Sequence, residues 1–189
     1  MSIIKDDLSD RIAKKIQFER AERGWSLADV ASRSGVSKAM ISKVERCETS
    51  PTAVVLSKLA GAFGLTLSAF LVEDDDPASR VSRAELQSTW VDPASGYTRT
   101  MLSPTLGGAI ELVKITLPAK ARIAFPAQAY APVYQLVWVI SGCLRVQEGE
   151  VEHTLEAGDC LELGPAADCV FENPTGNTID YLTMVTKRR

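Results

Sequence analysis

Three features are scarce in this chain of 189 residues: long apolar runs, histidine and paired cysteines. No apolar run reaches the roughly 20 residues of a membrane helix, and the first residues lack the apolar segment of a signal peptide. The four cysteines contain no Cys-x-x-Cys pair, so reduced thiols are expected rather than a disulfide framework. These absences argue against a membrane or secreted protein and predict a cytoplasmic one.

The charges are divided unevenly along the chain, although the net charge is only −3. Residues 1–72 hold 11 Lys or Arg against 8 Asp or Glu, whereas the remainder holds 10 against 16. The apolar content of 46% with both charge signs present indicates a folded protein. We expect the N-terminal part to approach phosphates and the C-terminal part to face another partner.

The stretch from Trp25 to Cys47 has the pattern of two short helices that meet at a tight turn. Ser26 is suited to cap the first helix, and Asp29 three residues later completes a capping box. Gly35 can adopt a positive φ in the turn, and Ser37 offers a second N-cap. Such a unit lays its second helix in the major groove of DNA.

Three further helices are predicted around this unit. Apolar residues recur every four positions from Leu8 to about Glu22, which predicts an amphipathic helix. Ser50-Pro51 is expected to open a fourth helix that ends at Gly64, and Ser68 to cap a short fifth one. The five helices predict one small domain over residues 8–72.

These residues resemble the XRE-type, or lambda-repressor-like, helix-turn-helix domains of bacterial and phage regulators. The match includes the Leu-Ala-x-Val-Ala core, the Gly-Val-Ser turn and the Ile-Ser-x-Val-Glu-Arg run. Cys47 departs from the family, which usually has Gly there, so it must adopt a left-handed conformation or end the helix differently. The resemblance also implies an ion pair between Arg20 and Glu45.

Seven residues on or beside the second helix of the unit are expected to contact DNA: Ser26, Ser37, Lys38, Ala39, Ser42, Lys43 and Arg46. The two lysines suit guanine O6 and N7, the alanine a thymine methyl, and Ser42 a base edge or a phosphate. The other three, with the amides at the helix starts, suit phosphates. The alternative is that Lys38 and Lys43 are merely solvated.

Residues 73–85 change character, because four acidic residues are followed by Pro and small polar residues. We interpret this segment as a linker. An acidic cap followed by an edge strand is the alternative for its second half.

Beyond residue 86 the apolar pattern changes to that of short strands broken by turns. Ten strands are predicted, at residues 86–91, 97–102, 109–117, 120–126, 134–140, 143–148, 151–155, 160–163, 169–173 and 178–186. So many short strands predict a sandwich or barrel in residues 86–189.

The order and sequence motifs of the strands resemble those of the cupin family of double-stranded β-helix barrels, over about residues 108–186. The matching runs are Val139-Ile-Ser-Gly142, Leu155-Glu-Ala-Gly158-Asp159 and Asn173-Pro174. The fold class implied is multidomain, a five-helix DNA-binding domain followed by a cupin barrel. Such two-part bacterial regulators are taken to use the barrel as a sensor.

Many cupins hold a metal on histidines and a glutamate, but Gln128, Tyr130, Gln135 and Cys169 take those places here. Neutral amides and a phenol are poor ligands for iron, zinc or manganese. His153, the only histidine, is expected at the surface. We therefore expect no metal, no cofactor and no enzymatic activity; the alternative is a cupin metalloenzyme of the epoxidase or dioxygenase type with an accessory helix-turn-helix.

A barrel without metal can still bind an effector. The same four side chains, with Trp138 and Phe171 as apolar walls, predict a pocket for a small molecule. The alternatives are that these side chains only fill the core, or that Cys160 and Cys169 form a redox switch.

One such DNA-binding domain makes a small interface, so specific binding normally needs two copies on a palindromic operator. We therefore expect a homodimer on double-stranded DNA. We also expect the effector to bias the two DNA-binding domains through segment 73–85.

Overall fold

The computed structural model describes residues 3–71, 80–104, 110–131 and 133–188, with side chains from Leu8 onward. Capping side chains mark the starts of three of its helices. The helices are α1 (Ile3–Glu22), α2 (Leu27–Ser34), α3 (Lys38–Glu45) and α4 (Ala53–Phe63). The predicted fifth helix is instead a 3₁₀ helix, Leu67–Phe70, and no side chain caps its start. The fold class is otherwise as predicted.

The start of α4 differs from the prediction. The hydroxyl of Thr52, rather than Ser50, accepts a hydrogen bond from the backbone N–H of Val55, at 3.3 Å. The end is as predicted, because Gly64 has a left-handed φ of 69°. The helices share a core whose side chains are fully buried, including Ile16, Ile41, Leu56 and Leu59.

All ten predicted strands are present, with ends that shift by a few residues. They are β1 (Thr89–Val91), β2 (Thr98–Met101), β3 (Ile110–Leu117), β4 (Arg122–Phe125), β5 (Val133–Ser141), β6 (Cys143–Glu148), β7 (Val151–Glu156), β8 (Cys160–Glu162), β9 (Cys169–Glu172) and β10 (Ile179–Lys187). A short 3₁₀ helix, Ala84–Leu86, precedes β1, where the first strand was expected to begin. Most of the expected linker lies outside the described residues.

The strands form two antiparallel sheets that face each other. One sheet has the order β1-β2-β3-β10-β5-β8, and the other has the order β4-β9-β6-β7. Successive strands from β3 to β10 lie in opposite sheets, except for the hairpin of β6 and β7, as in the double-sheet arrangement of jelly rolls and cupins. The expected cupin barrel is confirmed.

Helix α4 lies across the mouth of this barrel, so the helical and β parts are in direct contact. A Cβ built on Gly61 of α4 would lie 2.9 Å from the backbone oxygen of Gln128, in the loop between β4 and β5. At the start of α4, the backbone N–H of Ala53 donates to the Asp92 carboxylate at 2.8 Å. Contacts at both ends of the helix therefore fix its position on the barrel.

Within the described part of the chain, no helix is both long enough and apolar enough to span a membrane.

Candidate DNA interface and effector cleft

The two-helix unit has the local geometry that the sequence predicts. The Ser26 hydroxyl accepts from the backbone N–H of Asp29 at 3.2 Å, and Asp29 accepts from the backbone of Ser26 at 2.8 Å. Gly35 ends α2 with a φ of 67°, and the Ser37 hydroxyl caps α3 at the backbone N–H of Met40. The turn therefore sets α3 at a fixed angle to α2.

Cys47 closes α3 in the left-handed conformation, with a φ of 56°. Its backbone N–H donates to the carbonyl of Val44 at 3.0 Å. A side chain at positive φ is strained, so this ending costs more than the glycine that is usual in the family.

An ion pair ties α1 to the end of α3, as the resemblance implies. Arg20 Nε lies 2.8 Å from Glu45 Oε1, and Nη2 lies 3.1 Å from Oε2. The hydrogen bonds that Arg20 donates to the Glu45 carboxylate raise the pKa of Arg20. A third bond from the same guanidinium, to the carbonyl of Trp25, also fixes the start of α2.

The residues expected to contact DNA lie on the outer surface of the unit. Ser26, Ser37, Lys38, Ala39, Lys43 and Arg46 are exposed, and Ser42 is half-buried. The Arg46 guanidinium donates to Ser42 Oγ and forms an ion pair with Glu48 at 2.7 Å. The ion pair with Glu48 must therefore break before the Arg46 guanidinium is free to bind a phosphate.

A cleft of about 590 Å³, counting the open space at its mouth, lies where the DNA-binding unit meets the barrel. Ser57, Ala60 and the residues from Leu65 to Ser68 line it from the helical side. Barrel side chains form the other wall.

Aromatic rings form the inner wall of this cleft. Phe171 stacks on Tyr181 with ring centres 6.0 Å apart, and Phe125 meets Phe171 edge-on at 6.1 Å. Phe171 was predicted to line the pocket, and it does so. Burial raises the pKa of Tyr181 well above its usual value, so the hydroxyl stays protonated.

Two of the predicted polar residues, Tyr130 and Gln135, also line the cleft. Tyr130 is buried and makes a hydrogen bond with the thiol of Cys169. That thiol also donates to the carbonyl of Ala167. Burial raises the pKa of Cys169 to about 11, so Cys169 is a protonated, buried thiol behind the wall.

The expectation that Gln128 and Trp138 point inward is wrong. Gln128 is exposed in the short loop that contacts Gly61 of α4. Trp138 is 43% exposed, and its indole Nε1–H donates to the carbonyl of Gly158 on the outside of the barrel. Gln135 and Trp138 are three residues apart on one strand, so they lie on opposite faces.

The four family metal positions do not fit a metal ion. Gln128 lies outside the cleft, Gln135 and Tyr130 offer a neutral amide and a phenol, and Cys169 keeps its proton. Transition metals need thiolate, imidazole or carboxylate donors that converge on one point. Among the described residues, no three His, Cys, Asp or Glu side chains form such a group.

The single histidine does not line the cleft, and the two cysteines suggested as a redox pair lie on different sheets. His153 Nε2 is 3.7 Å from Glu148 Oε2 on a neighbouring strand, and neither residue lines the cleft. Cys160 is exposed on β8, whereas Cys169 is buried on β9 of the other sheet.

Sequence reasoning missed the two charged residues of the cleft, Arg99 and Glu111. Each lies on the inward face of its strand, Arg99 between Tyr97 and Met101 and Glu111 two positions before Val113. The sequence could have indicated them, because a charged residue at an inward position of an alternating strand is costly to bury without a partner and so suggests a binding site.

The helical part of the chain matches the helix-turn-helix family HTH_3 at residues 16–70. Over nearly its whole length, the chain is similar to the HTH-type transcriptional regulator SutR of Escherichia coli (strain K12). The identity is 38% over 180 residues, which cover 95% of this chain and 97% of SutR. The HTH-type transcriptional regulator SinR of Bacillus licheniformis is 32% identical over 66 residues, which cover 34% of this chain and 60% of SinR.

A solved structure of an HTH_3 family transcriptional regulator from Vibrio cholerae has both parts in the same arrangement. It superimposes with a TM-score of 0.79 at 26% identity, and the match covers 96% of this chain and 98% of that one. The similarity therefore extends over the DNA-binding unit, the barrel and the contact between them.

Proposed function

Because the chain belongs to the family of HTH-type transcriptional regulators, we propose that it binds a palindromic operator as a homodimer and that a small molecule in the cleft controls this binding. Binding to double-stranded DNA follows from the family. The observation that supports the control is the cleft itself, since α4 of the DNA-binding unit forms one wall and the barrel forms the other.

The DNA contacts come from α3 and the two helix starts. Lys38 and Lys43 donate to base edges or phosphates, and Ala39 and Ser42 contact the groove between them. The ion pair of Arg20 with Glu45 keeps α3 in place while it is in the groove. Ser26, Ser37 and Arg46 bind the phosphates on either side.

The effector binds against Tyr130, Gln135 and Phe171 in the cleft. The signal passes through the direct contact of α4 with the barrel, in addition to segment 73–85. Two side-chain hydrogen bonds cross this contact: Thr66 donates to Glu111 at 2.9 Å, and Arg99 donates to Ser68 at 3.2 Å. A molecule that changes these bonds changes how the DNA-binding unit is held.

The homodimer forms through the outer face of the larger sheet. Strand β5 exposes Tyr134, Trp138 and Ile140 there, between 43% and 50% of each side chain. Leu182 and Met184 of β10 lie beside them in register with Trp138 and Leu136. A second copy of the chain covers this apolar face and sets the spacing of the two α3 helices.

The protein acts as a regulator in the cytoplasm, where the DNA is, and not as an enzyme. The unsuitable metal donors of the barrel support this over the epoxidase or dioxygenase alternative. The functional units are the DNA-binding domain at residues 8–72, the connecting segment at 73–85 and the effector domain at 86–189.

The test is selection of duplexes from a random-sequence library by the full chain, followed by fluorescence anisotropy on the selected sequence. We expect a palindromic consensus, and we expect Lys43→Ala and Lys38→Ala each to weaken binding and to lower the slope of log affinity against log salt by about 0.9 per lost phosphate contact. Lys187→Ala, an exposed lysine of the barrel, is the control and should leave binding unchanged. Unchanged affinity and salt slope in both α3 variants would contradict the assignment of this helix.

A further inference from the structure

Three polar atoms in the cleft are buried and have no partner among the described residues: Arg99 Nε, Glu111 Oε2 and Thr183 Oγ1. Buried polar groups in folded proteins are nearly always hydrogen-bonded, because an unmade bond is costly. Three such atoms on residues that line one cleft therefore indicate a site whose ligand completes the bonds.

The charges of the cleft have opposite signs. Arg99 donates from Nη1 to the hydroxyl of Tyr97 and from Nη2 to Ser68 Oγ. Glu111 accepts at Oε1 from the Thr66 hydroxyl. All three partners are neutral hydroxyls, and neither charge has an ion-pair partner in the described part of the chain. An anionic ligand would meet the Glu111 carboxylate and a cationic one the Arg99 guanidinium, whereas a zwitterion satisfies both.

The hydroxyls that bind the two charges come from one short piece of chain. Arg99 and Glu111 bind Ser68 and Thr66, whose Cα atoms are at most about 7 Å apart because the residues are two positions apart. The ligand that bridges the charges is accordingly small. The rings of Phe125, Phe171 and Tyr181 offer an apolar surface to the rest of the molecule.

We propose that the effector is an α-amino acid, with its carboxylate on Arg99, its ammonium group on Glu111 and its side chain against the aromatic wall. This inference rests on the proposed function, because it names the ligand of the effector cleft. The Thr183 hydroxyl supplies a further hydrogen bond to the ligand.

The same contacts explain how occupancy reaches the DNA-binding unit. The carboxylate of the ligand competes with Ser68 for the guanidinium, and the ammonium group competes with the Thr66 hydroxyl for the carboxylate. A bond between two oppositely charged groups is stronger than a bond from either group to a neutral hydroxyl, so the ligand wins both competitions. Thr66 and Ser68 flank the start of the 3₁₀ helix that follows α4, and binding of the ligand loosens that segment from the barrel.

The test is titration of the full chain by calorimetry with each of the twenty common L-amino acids. For every amino acid that binds, the matched probes are the decarboxylated amine and the 2-hydroxy acid. We expect at least one amino acid to bind and both analogues to bind at least about tenfold more weakly, since each lacks one charged contact. Binding by none of the twenty, or equal binding by either analogue, would overturn the proposal.

Two variants and two controls locate the site. Glu111→Gln and Arg99→Gln should each reduce affinity for the bound amino acid by about tenfold or more, whereas Arg122→Gln and Glu162→Gln, exposed charges on β4 and β8, should not. The unfolding transition shows which variants fold. If Arg99→Gln does not fold, Glu111→Gln and the analogue series still decide.

The selected duplex separates this proposal from the proposed function. Wild-type protein that binds DNA but none of the amino acids overturns the ligand class and leaves the regulator intact. Protein that binds an amino acid but selects no duplex contradicts the regulator and leaves the ligand site intact.

Discussion

Asp92 of the barrel part caps helix α4 of the DNA-binding unit: its Oδ1 atom lies 2.8 Å from the backbone nitrogen of Ala53. The carboxylate is 3% exposed, and its second oxygen accepts from the backbone N–H of Ser95 at 2.9 Å. A negative charge at a helix N-terminus is favoured by the helix dipole. One side chain thereby joins the fold of the β part to the first turn of the helix that covers its mouth.

Removal of this carboxylate should destabilise both parts together. We expect Asp92→Ala to lower the free energy of unfolding by about 1–3 kcal/mol, because it leaves buried backbone N–H groups without an acceptor. Urea unfolding followed by circular dichroism measures the loss. Asp10→Ala, which removes an exposed carboxylate paired with Lys14, should cost less than about 0.5 kcal/mol. Equal losses of unfolding free energy in the two variants would mean that the Asp92 cap stabilises the chain no more than an exposed ion pair does.

Gly61 tests the close approach of α4 to the barrel. Alanine is a better helix former than glycine by about 1 kcal/mol, but here its Cβ would meet the backbone of Gln128 at 2.9–3.0 Å. The clash is with backbone, so we expect Gly61→Ala to destabilise the chain by about 1–3 kcal/mol in the same urea assay. Gly176→Ala meets nothing within 4 Å and should be within about 0.5 kcal/mol of wild type.

The helical part and the strands were predictable because their signals are local. Ser26, Gly35 and Ser37 set helix ends through bonds that span three or four residues, and alternation set all ten strands. The fifth helix could not be predicted as a 3₁₀ helix, because Thr66, which occupies its N-cap position in place of the predicted Ser68, binds Glu111 far along the chain. That bond depends on tertiary contact.

The candidate effector cleft was only half predictable for the same reason. Tyr130, Gln135 and Phe171 follow from the barrel pattern, but no local signal shows that α4 closes the mouth. The error at Trp138 was avoidable, since its parity with Gln135 already assigns the two side chains to opposite faces.

The ion pair of Arg20 with Glu45 should contribute more to stability than the exposed pair of Arg46 with Glu48. Both pairs are doubly hydrogen-bonded, but the side chains of the first are 27% and 9% exposed, whereas those of the second are 54% and 48% exposed. We expect double-mutant cycles with Arg→Met and Glu→Gln to give a coupling of about 1 kcal/mol for the first and below about 0.5 kcal/mol for the second. A larger coupling in the exposed pair would contradict this ranking.

The apolar face of the larger sheet should hold two copies together. We expect Ile140→Glu and Trp138→Glu to convert a dimer into monomers, because a charge in an apolar interface remains without a partner. Sedimentation velocity measures the change. Val151→Glu is the matched control, since Val151 is 56% exposed on β7 of the other sheet. A dimer that persists in the first two variants would place the interface elsewhere.

Stability should decrease at alkaline pH, and Cys169 should account for part of the decrease. Its pKa is about 11 in the folded chain because of burial, against a usual value of 9.0. Between these values the folded state holds the proton and the unfolded state releases it. The contribution of this thiol is thus fully present below about pH 9 and is lost as pH rises toward 11, with a limiting slope of about 1.4 kcal/mol per pH unit.

Urea unfolding at half-unit steps from pH 7 to 11 measures this dependence. Burial also raises the pKa values of Tyr97, Tyr130 and Tyr181, so these hydroxyls add to the decrease above about pH 10. Cys169→Ala should flatten the curve between pH 9 and 10, where the thiol is the first of these groups to titrate, while Cys160→Ala, at an exposed thiol, should not. Identical curves for wild type and Cys169→Ala would mean that the folded thiol titrates near its ordinary pKa, and the packing around Tyr130 would then have to admit water.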